Sequence, residues 1–149
     1  MATMIKFRAW DKATSSYRKV LEIEFYPDGE LKKVKVAGLQ RKGTITPDNL
    51  VLEQFTGLTD VNGKEIYEGD ILRLSRDEPK TYIYDDEDNL KPKIIMPKTV
   101  TETAPVTKDI GTFGVSVKGV FLMLREVDKG QQNIEVIGNV HTNPELLEE

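Results

Sequence analysis

The chain has 149 residues, of which 38% are hydrophobic and 31% charged, with no cysteine and a formal net charge of −4. A chain of this length can hold a core without covalent staples, and the lack of cysteine excludes disulfides, thiolate metal sites and a cysteine nucleophile. The negative balance removes a general electrostatic drive toward nucleic acid and leaves only a local patch to provide one.

The longest apolar run, Val120 to Leu124, is five residues, far short of a membrane span. Met1 to Arg8 holds no apolar stretch of leader length. The expected location is the cytoplasm of a host cell, with no membrane contact.

Met4 to Trp10 alternates Ile5, Phe7 and Ala9 with Lys6, Arg8 and Trp10, which predicts a strand. Asp11 to Ser16 is a polar turn. Leu21, Ile23 and Phe25 then alternate with Glu22, Glu24 and Tyr26, ahead of Pro27-Asp28-Gly29-Glu30 and Leu31 to Val36. Asp-Gly between alternating segments is a hairpin signal. A two-residue Asp28-Gly29 loop sets Glu24 against Lys33, Glu22 against Lys35, Ile23 against Val34 and Leu21 against Val36. One face is then charge-matched and the other apolar, as a real pairing requires.

Ala37 to Asp48 reads as a loop and Leu50 to Phe55 as a strand. For the next hairpin, a two-residue Asn62-Gly63 loop opposes Asp60 and Glu65. A three-residue Val61-Asn62-Gly63 loop opposes Asp60 and Lys64, and Leu58 and Ile66, with Gly63 left-handed; this is the preferred reading. Ile66 to Leu74 is a strand broken by a bulge or bend at Glu68-Gly69-Asp70. Ser75 to Asp109 carries Pro79, Pro92, Pro97 and Pro105 and the acidic run Asp85-Asp86-Glu87-Asp88. It reads as a mobile insertion in which Tyr82-Ile83-Tyr84 and Ile94-Ile95-Met96 form short edge strands. Gly111 to Val127 has strand composition, Asp128-Lys129-Gly130 turns the chain, and Ile134 to Val140 closes it. Asn143 as N-cap and Pro144 at the first helical position start a short helix that ends at Glu149.

Each candidate for chemistry has a plainer structural reading. His141 is the sole histidine, so a histidine-activated nucleophile would have to use it; no serine pattern accompanies it, and a packing or surface role is expected. The acidic run at 85–88 lacks the glycine and spaced glutamate of a calcium loop and reads as a solvated charge run. Glu65, Glu68 and Asp70 cluster where acid–base residues would be sought, but Asp70 after Gly69 fits an acceptor for backbone hydrogen bonds at a bend. No phosphate loop, zinc spacing or dinucleotide fingerprint is present, so no cofactor or metal is expected and the chain is read as non-enzymatic. Trp10 and Tyr67 read as core.

Three segments in order carry a family pattern: Ile5-Lys6-Phe7-Arg8-Ala9-Trp10-Asp11; Phe55 to Leu74, with Asn62-Gly63-Lys64-Glu65-Ile66-Tyr67-Glu68-Gly69-Asp70-Ile71; and Ile134 to Leu147, with Val136-Ile137-Gly138-Asn139 and Asn143-Pro144-Glu145-Leu146. The chain resembles the YopX family of phage and prophage proteins. The signature positions are Trp10, Gly57, Asn62, Gly63, Tyr67, Gly69, Asp70, Gly138, Asn139, Asn143 and Pro144. The resemblance implies a mainly β unit spanning residues 1–149. An N-terminal hairpin lobe occupies about 1–54, and an SH3-like barrel about 55–149 carries the 75–109 insertion and a short C-terminal helix. It also implies a homo-oligomer and a phage context, and assigns no reaction. His141-Thr142 departs from the family, whose members carry an aromatic and an acidic residue there.

These readings lead to a phage accessory protein working through self-assembly or a host or phage protein partner. The alternatives are a nucleic-acid-binding barrel and an enzyme of unrecognised type. The most basic stretch is Lys32, Lys33, Lys35, Arg41 and Lys42; the hairpin register gives Lys33 and Lys35 glutamate partners and leaves three cations. That is a small phosphate footprint. An anisotropy titration at about 150 mM salt is therefore expected to show no submicromolar binding of DNA or RNA. Tight binding abolished by Lys32→Glu with Arg41→Glu would reverse this reading.

Overall fold

The computed structural model describes residues 5–38, 43–77, 81–85, 88–95, 99–129 and 133–148, with the backbone alone described for strand and helix residues between 81 and 95 and at 128–129. The N-terminal half builds β1 (Phe7–Asp11), β2 (Ser16–Phe25), β3 (Leu31–Val36), β4 (Thr44–Ile45), β5 (Leu50–Thr59) and β6 (Glu65–Tyr67). They form one sheet in the order β4-β3-β2-β1-β5-β6. The chain continues through β7 (Asp70–Asp77), β8 (Thr81–Asp85), β9 (Asp88–Ile95), β10 (Thr99–Pro105), β11 (Thr107–Asp109), β12 (Thr112–Val117) and β13 (Val120–Met123). It ends with α1 (Leu124–Lys129) and β14 (Asn133–Asn139). The later strands assemble as β10-β7-β14, β11-β12-β13 and the β8-β9 hairpin.

The mainly β class is as expected. The SH3-like barrel is not: among the described residues the later strands form separate open sheets and close into no barrel. In the sheet β10-β7-β14, β7 has a neighbour on each side, while among the described residues β10 and β14 pair only with β7.

Two apolar clusters form. Ala9, Val34, Val36, Ile45 and Leu50 make the first, with Val20, Ile23 and Leu31 against it. Ile66, Leu72, Leu74, Ala104, Val106, Val115, Leu124, Val127 and Ile134 make the second. β5 joins them, with Leu50 in the first and Leu58 packed on the second.

The first hairpin keeps its central register, Glu22↔Lys35, Ile23↔Val34 and Glu24↔Lys33, but its ends shift. Tyr26 N–H donates to Glu30 O at 2.8 Å, so the loop is Pro27-Asp28-Gly29, three residues, with Gly29 at φ +96°. Proline presets the first position of the turn and glycine takes the left-handed one. The longer loop moves the pairing to Phe25↔Leu31, and Lys32 bulges to restore register. At the other end Val20, not Leu21, faces Val36, which leaves Leu21 as a bulge residue.

The second hairpin has the expected three-residue loop: Asp60 N–H donates to Lys64 O at 2.8 Å and Gly63 sits at φ +81°. The expected Leu58–Ile66 pairing is absent. The ladder runs Thr59↔Glu65 and then Phe55↔Tyr67, with the intervening β5 residues bulged around Gly57 at φ +88°.

In the 75–109 stretch, expected to be a mobile insertion, most of the described residues lie in strands. β7 runs on to Asp77, β10 pairs with it from Thr99↔Asp77 to Pro105↔Ile71, and Ala104 and Val106 are buried in the second cluster. Its two expected edge strands pair as β8 and β9, with Tyr82↔Ile94 and Ile83↔Lys93. Pro92 and Pro105 lie within strands; Pro105 sits at the end of β10, where a missing ladder N–H costs least. Pro79 and Pro97 lie outside the described residues.

Two further elements differ. The Ala37 to Asp48 loop contains β4, paired through Val34↔Ile45 and Lys35↔Thr44, and ends in a 3-10 turn at Pro47–Asn49. Leu124–Lys129 is a helix rather than the end of a strand; Leu124 and Val127, three apart on one helix face, are both buried. The C-terminal helix is a 3-10 turn, Pro144–Leu147, and Asn143 makes no side-chain cap to it.

Asp60 joins the second hairpin to β14. One carboxylate oxygen accepts from the backbone N–H of Asn62 and Lys64, both at 2.9 Å, and the other from Val136 N–H at 2.9 Å. Burial acts to raise this carboxyl, but the backbone donors from Val136, Lys64 and Asn62 outweigh it and hold it below the ordinary value. A depressed carboxyl contributes stability above its unfolded value of about 4 and loses it as pH falls through the folded value. Asp60→Asn is therefore expected to cost about 2 kcal/mol at pH 7 by urea unfolding, with the gap to the parent chain closing below about pH 4. A gap independent of pH would show that the charge is not what the three donors recognise.

Candidate functional site

β1 lies between β2 and β5, and alternation divides its side chains. Ala9 turns into the first cluster, so Arg8 and Trp10 share the opposite face. In register, Arg8 faces Glu53 of β5 and Lys19 of β2, and Trp10 faces Tyr17 of β2. Residues from two later turns, the Glu68–Asp70 bend and the turn that carries His141, cover this face.

Arg8 is the centre. Its Nε donates to Glu53 Oε1 at 2.8 Å, and one terminal nitrogen donates to Asp70 Oδ1 at 2.8 Å and to the Glu68 carbonyl at 3.2 Å. The guanidinium also lies 4.1 Å from the ring centre of Tyr17 and 4.7 Å from that of Tyr67. Glu53 and Asp70 are almost completely buried, at 4% and 2% exposure. Glu53 has two further donors: Tyr17 OH at 2.9 Å to Oε1, and His141 Nε2 at 2.9 Å to Oε2. An ionised carboxylate only accepts, so this contact places the proton on Nε2. The His141 ring stacks on Trp10 with centroids 4.7 Å apart and planes 9° from parallel.

Burial acts first to raise the Tyr17 phenol, and the charge of Glu53 adds to it, so Tyr17 stays protonated and donates. Burial also raises the Asp70 carboxyl, against the Tyr67 N–H and Arg8, which favour its charge. Among the described residues no buried side-chain nitrogen or oxygen lacks a partner.

Four of the signature glycines and asparagines, Gly69, Gly138, Asn139 and Asn143, build the turns that deliver these groups. Gly69, at φ +82°, packs so closely on Glu53 that a Cβ there would meet the carboxylate, with its carbon at 2.8 Å. The turn is fastened on both sides: Gly69 N–H donates to Val106 O at 3.0 Å, and Val140 N–H to Gly69 O at 2.8 Å. Asn139 Oδ1 accepts from His141 N–H at 3.0 Å and Thr142 N–H at 2.9 Å, which sets the turn carrying the imidazole. Asn143 Oδ1 accepts from Asn139 N–H at 3.3 Å and lies 2.5 Å from where a Cβ on Gly138 would stand. Pro144 then starts the 3-10 turn. Asn62 and Gly63 stay in the second hairpin, and Gly57 in the β5 bulge, away from the cluster.

Asp70 thus does accept a backbone hydrogen bond at the bend, from Tyr67 N–H at 2.8 Å, and in addition closes the clamp on Arg8. The three clustered acids do not converge. Glu65 pairs with Lys6 at 2.5 Å, Glu68 accepts from Gln54 N–H at 3.1 Å, and Asp70 binds Arg8. His141 has a packing role, fixed by Glu53 and Trp10. Trp10 and Tyr67 are half-buried around the ionic cluster rather than placed in either apolar core. In the basic stretch Lys32 is not free: it lies 3.2 Å from Glu24, which also holds Lys33 at 3.4 Å. Arg41 and Lys42 lie outside the described residues, as do Asp86 and Glu87 of the acidic run. Among the described residues no three metal-ligating side chains gather.

Sequence reasoning missed Arg8, Tyr17 and Glu53 as a unit. The signal was faint: a lone glutamate inside Leu50 to Phe55, and an arginine between two inward-facing positions.

A groove opens beside the cluster. β1 and β2 stay paired from Asp11↔Ser16 to Arg8↔Lys19 and then part. The space between them is about 720 Å³, lined by residues 5–8 on one side, 17–23 on the other, and Glu65 and Tyr67. Arg8 and Tyr17 belong to both cluster and groove. Ile5 and Leu21, both exposed large apolar residues, line it.

Asp70→Ala is expected to lower stability by about 3 kcal/mol, since it strips a partner from a mostly buried arginine. Glu65→Ala, which breaks a half-exposed pair, should cost under about 1 kcal/mol. Urea unfolding of both variants checks the ranking; equal losses would deny the Arg8 clamp its central place.

A family model described as YopX protein matches residues 6–148. The fold is similar to the crystal structure of protein EF1440 from Enterococcus faecalis, at 26% identity and TM-score 0.61, covering 99% of this chain and 100% of that one. It is also similar to the X-ray structure of protein yopX from Bacillus subtilis, at 24% identity and TM-score 0.56, covering 95% of this chain and 97% of that one. No curated protein matches this sequence.

Proposed function

We propose that this chain, which belongs to the YopX protein family, is an accessory protein of phage or prophage origin that works through contacts with other protein chains and not by catalysis. The contact surface in this reading is the groove between β1 and β2. The observation that carries it is the pair of exposed apolar side chains that line it: Leu21, at 58% exposure, on β2, and Ile5, at 65%, on the approach to β1. Apolar groups gathered at one open place mark interaction sites more often than scattered ones do.

The ionic cluster supports the same reading. Its carboxylates and its histidine are held by Arg8, Tyr17, Trp10 and the Tyr67 backbone N–H, an arrangement suited to rigidity. A general base needs access to a substrate proton, whereas His141 has one nitrogen on Glu53 and its ring on Trp10. No helix of the described chain is long and apolar enough to cross a membrane.

A photoreactive residue placed at Leu21, in the cell that makes the protein, is expected to give discrete cross-links to protein, either another copy or a different chain. The same residue at Lys118, well exposed on a distant turn, should not. Equal labelling at both positions, or none at Leu21, rejects the groove as the contact surface.

A further inference from the structure

We infer that a second copy of this chain docks through the β11–β12 hairpin: the Ile110 tip of each copy enters a recess beside the tip of the other, in a two-fold contact. This surface is separate from the groove and stands on its own observations.

The first observation is the residue at the tip. Asp109↔Thr112 closes β11 on β12, so Ile110-Gly111 is a two-residue loop. Both residues have positive φ, +49° and +72°, as in the type I′ turn of a tight hairpin. That turn favours Asn, Asp or Gly at its first position, because an L side chain is crowded in the left-handed region and a β-branched one most of all. The β12–β13 turn has the same form and carries Lys118 there, at φ +51°, ahead of Gly119. Among the described non-glycine residues with positive φ, Ser15 and Lys118 are polar, whereas Ile110 is β-branched. At 95% exposure it is also the most exposed of the large apolar residues. Ile110 belongs to neither apolar cluster, so its own chain gains no packing from it. Burial against another molecule offsets both the crowded backbone and the apolar surface left in water.

The second observation is the recess. About 460 Å³ of space lies between the Gly57 bulge of β5, the start of β12 and the end of β13, with Leu58, Phe113 and Met123 as its apolar walls. Gly111 and Thr112 form part of the same wall, so the protruding tip and the recess are neighbours on one surface. That adjacency identifies the partner. A half-turn about an axis between them sets each tip over the other's recess, and a two-fold contact requires a self-complementary patch of this kind. A different protein would have to supply a matching tip and recess of its own.

Charge fits the same arrangement. Asp109, beside the tip, and Arg125, on the recess wall, are exposed and have no ion-pair partner among the described residues. Each tip therefore brings an acid toward the other copy's arginine. Glu126 also lines the recess, so charge orients the contact and the apolar tip supplies the affinity. Lys118, at the far end of β12 and about 20 Å from the tip, lies outside it.

Light scattering at micromolar concentration should give twice the 16.9 kDa mass of the chain. Ile110→Asn gives the turn a residue it favours, so the melting temperature, read at a dilution where both chains are monomers, should hold or rise. The same change should weaken the dimer by at least about tenfold, the scale of losing a central apolar anchor. Met123→Lys, at a half-exposed wall position, should weaken it likewise from the other side. Mixed in equal amounts, the two variants should associate at least about tenfold more tightly than either alone. The intact tip of the Met123→Lys chain then fits the intact recess of the Ile110→Asn chain. A monomeric parent chain at about 100 μM, an Ile110→Asn dimer as tight as the parent's, a lower melting temperature for that variant, or a mixture no better than its parts each overturns the inference. So does a photoreactive residue in place of Ile110 that labels only a different protein in the cell. Cross-links from Leu21 are expected to persist in the Ile110→Asn chain, so this surface and the groove are tested apart.

Discussion

Arg8 is clamped between two buried carboxylates, and the arrangement of the other elements follows from that clamp. Glu53 and Asp70 come from β5 and β7, on either side of the second hairpin, and both are nearly excluded from water. A buried carboxylate without a counter-ion would cost several kcal/mol, so neither position is tolerable unless the guanidinium stands between them. Planar and forked, it meets both acids and a backbone carbonyl at once, which a lysine could not do. The clamp fixes β1 against the Gly69 bend, and that bend is bonded in turn to Val106 and Val140. One side chain thus ties the N-terminal sheet to β7, to the strand leaving β10, and to the end of β14.

Asp60 makes the second tie, with backbone donors as its partners. Its three hydrogen bonds hold the tip of the second hairpin to β14, beside the Val61 N–H to Ile134 O bond at 2.9 Å. The two apolar clusters share no buried residue. β5, Arg8 and Asp60 set their relative placement, and polar contacts suit that task because they are directional where apolar burial is not.

The groove is a consequence of the same geometry. Arg8 keeps β1 with β5 and the Gly69 bend, while the bulge at Leu21 lets β2 follow β3. The rigid cluster and the open edge meet at Arg8 and Tyr17, so a segment entering the groove would touch side chains whose positions are already fixed. Preorganisation of that kind lowers the entropic cost of association.

Local chemistry made part of this legible in the sequence. The alternation of Leu21 to Phe25 and Leu31 to Val36, with Glu22 and Glu24 matched to Lys35 and Lys33, determined the central register of the first hairpin, because a slip by one residue would turn every side chain to the wrong face. Gly63 determined the second turn, because three-residue loops need a left-handed residue there. Gly69-Asp70 marked the bend for a like reason. The tertiary structure decided the rest. The Pro27-Asp28-Gly29 loop and the compensating bulges at Leu21 and Lys32 depend on how the ladder fits the sheet beyond it. Ser75 to Asp109 looked loose because four prolines and an acidic run interrupt it, yet Ala104 and Val106 reach the core once β10 finds β7. Leu124 and Val127 form a helix because that spacing buries both against β12 and its neighbours, in a segment whose composition favours strand. Arg8, Tyr17, Glu53 and His141 are separated by up to 133 positions in the chain, as numbered, and each alone is an ordinary polar residue. Only folding brings them within hydrogen-bonding distance, and only their shared burial makes each one necessary to the others.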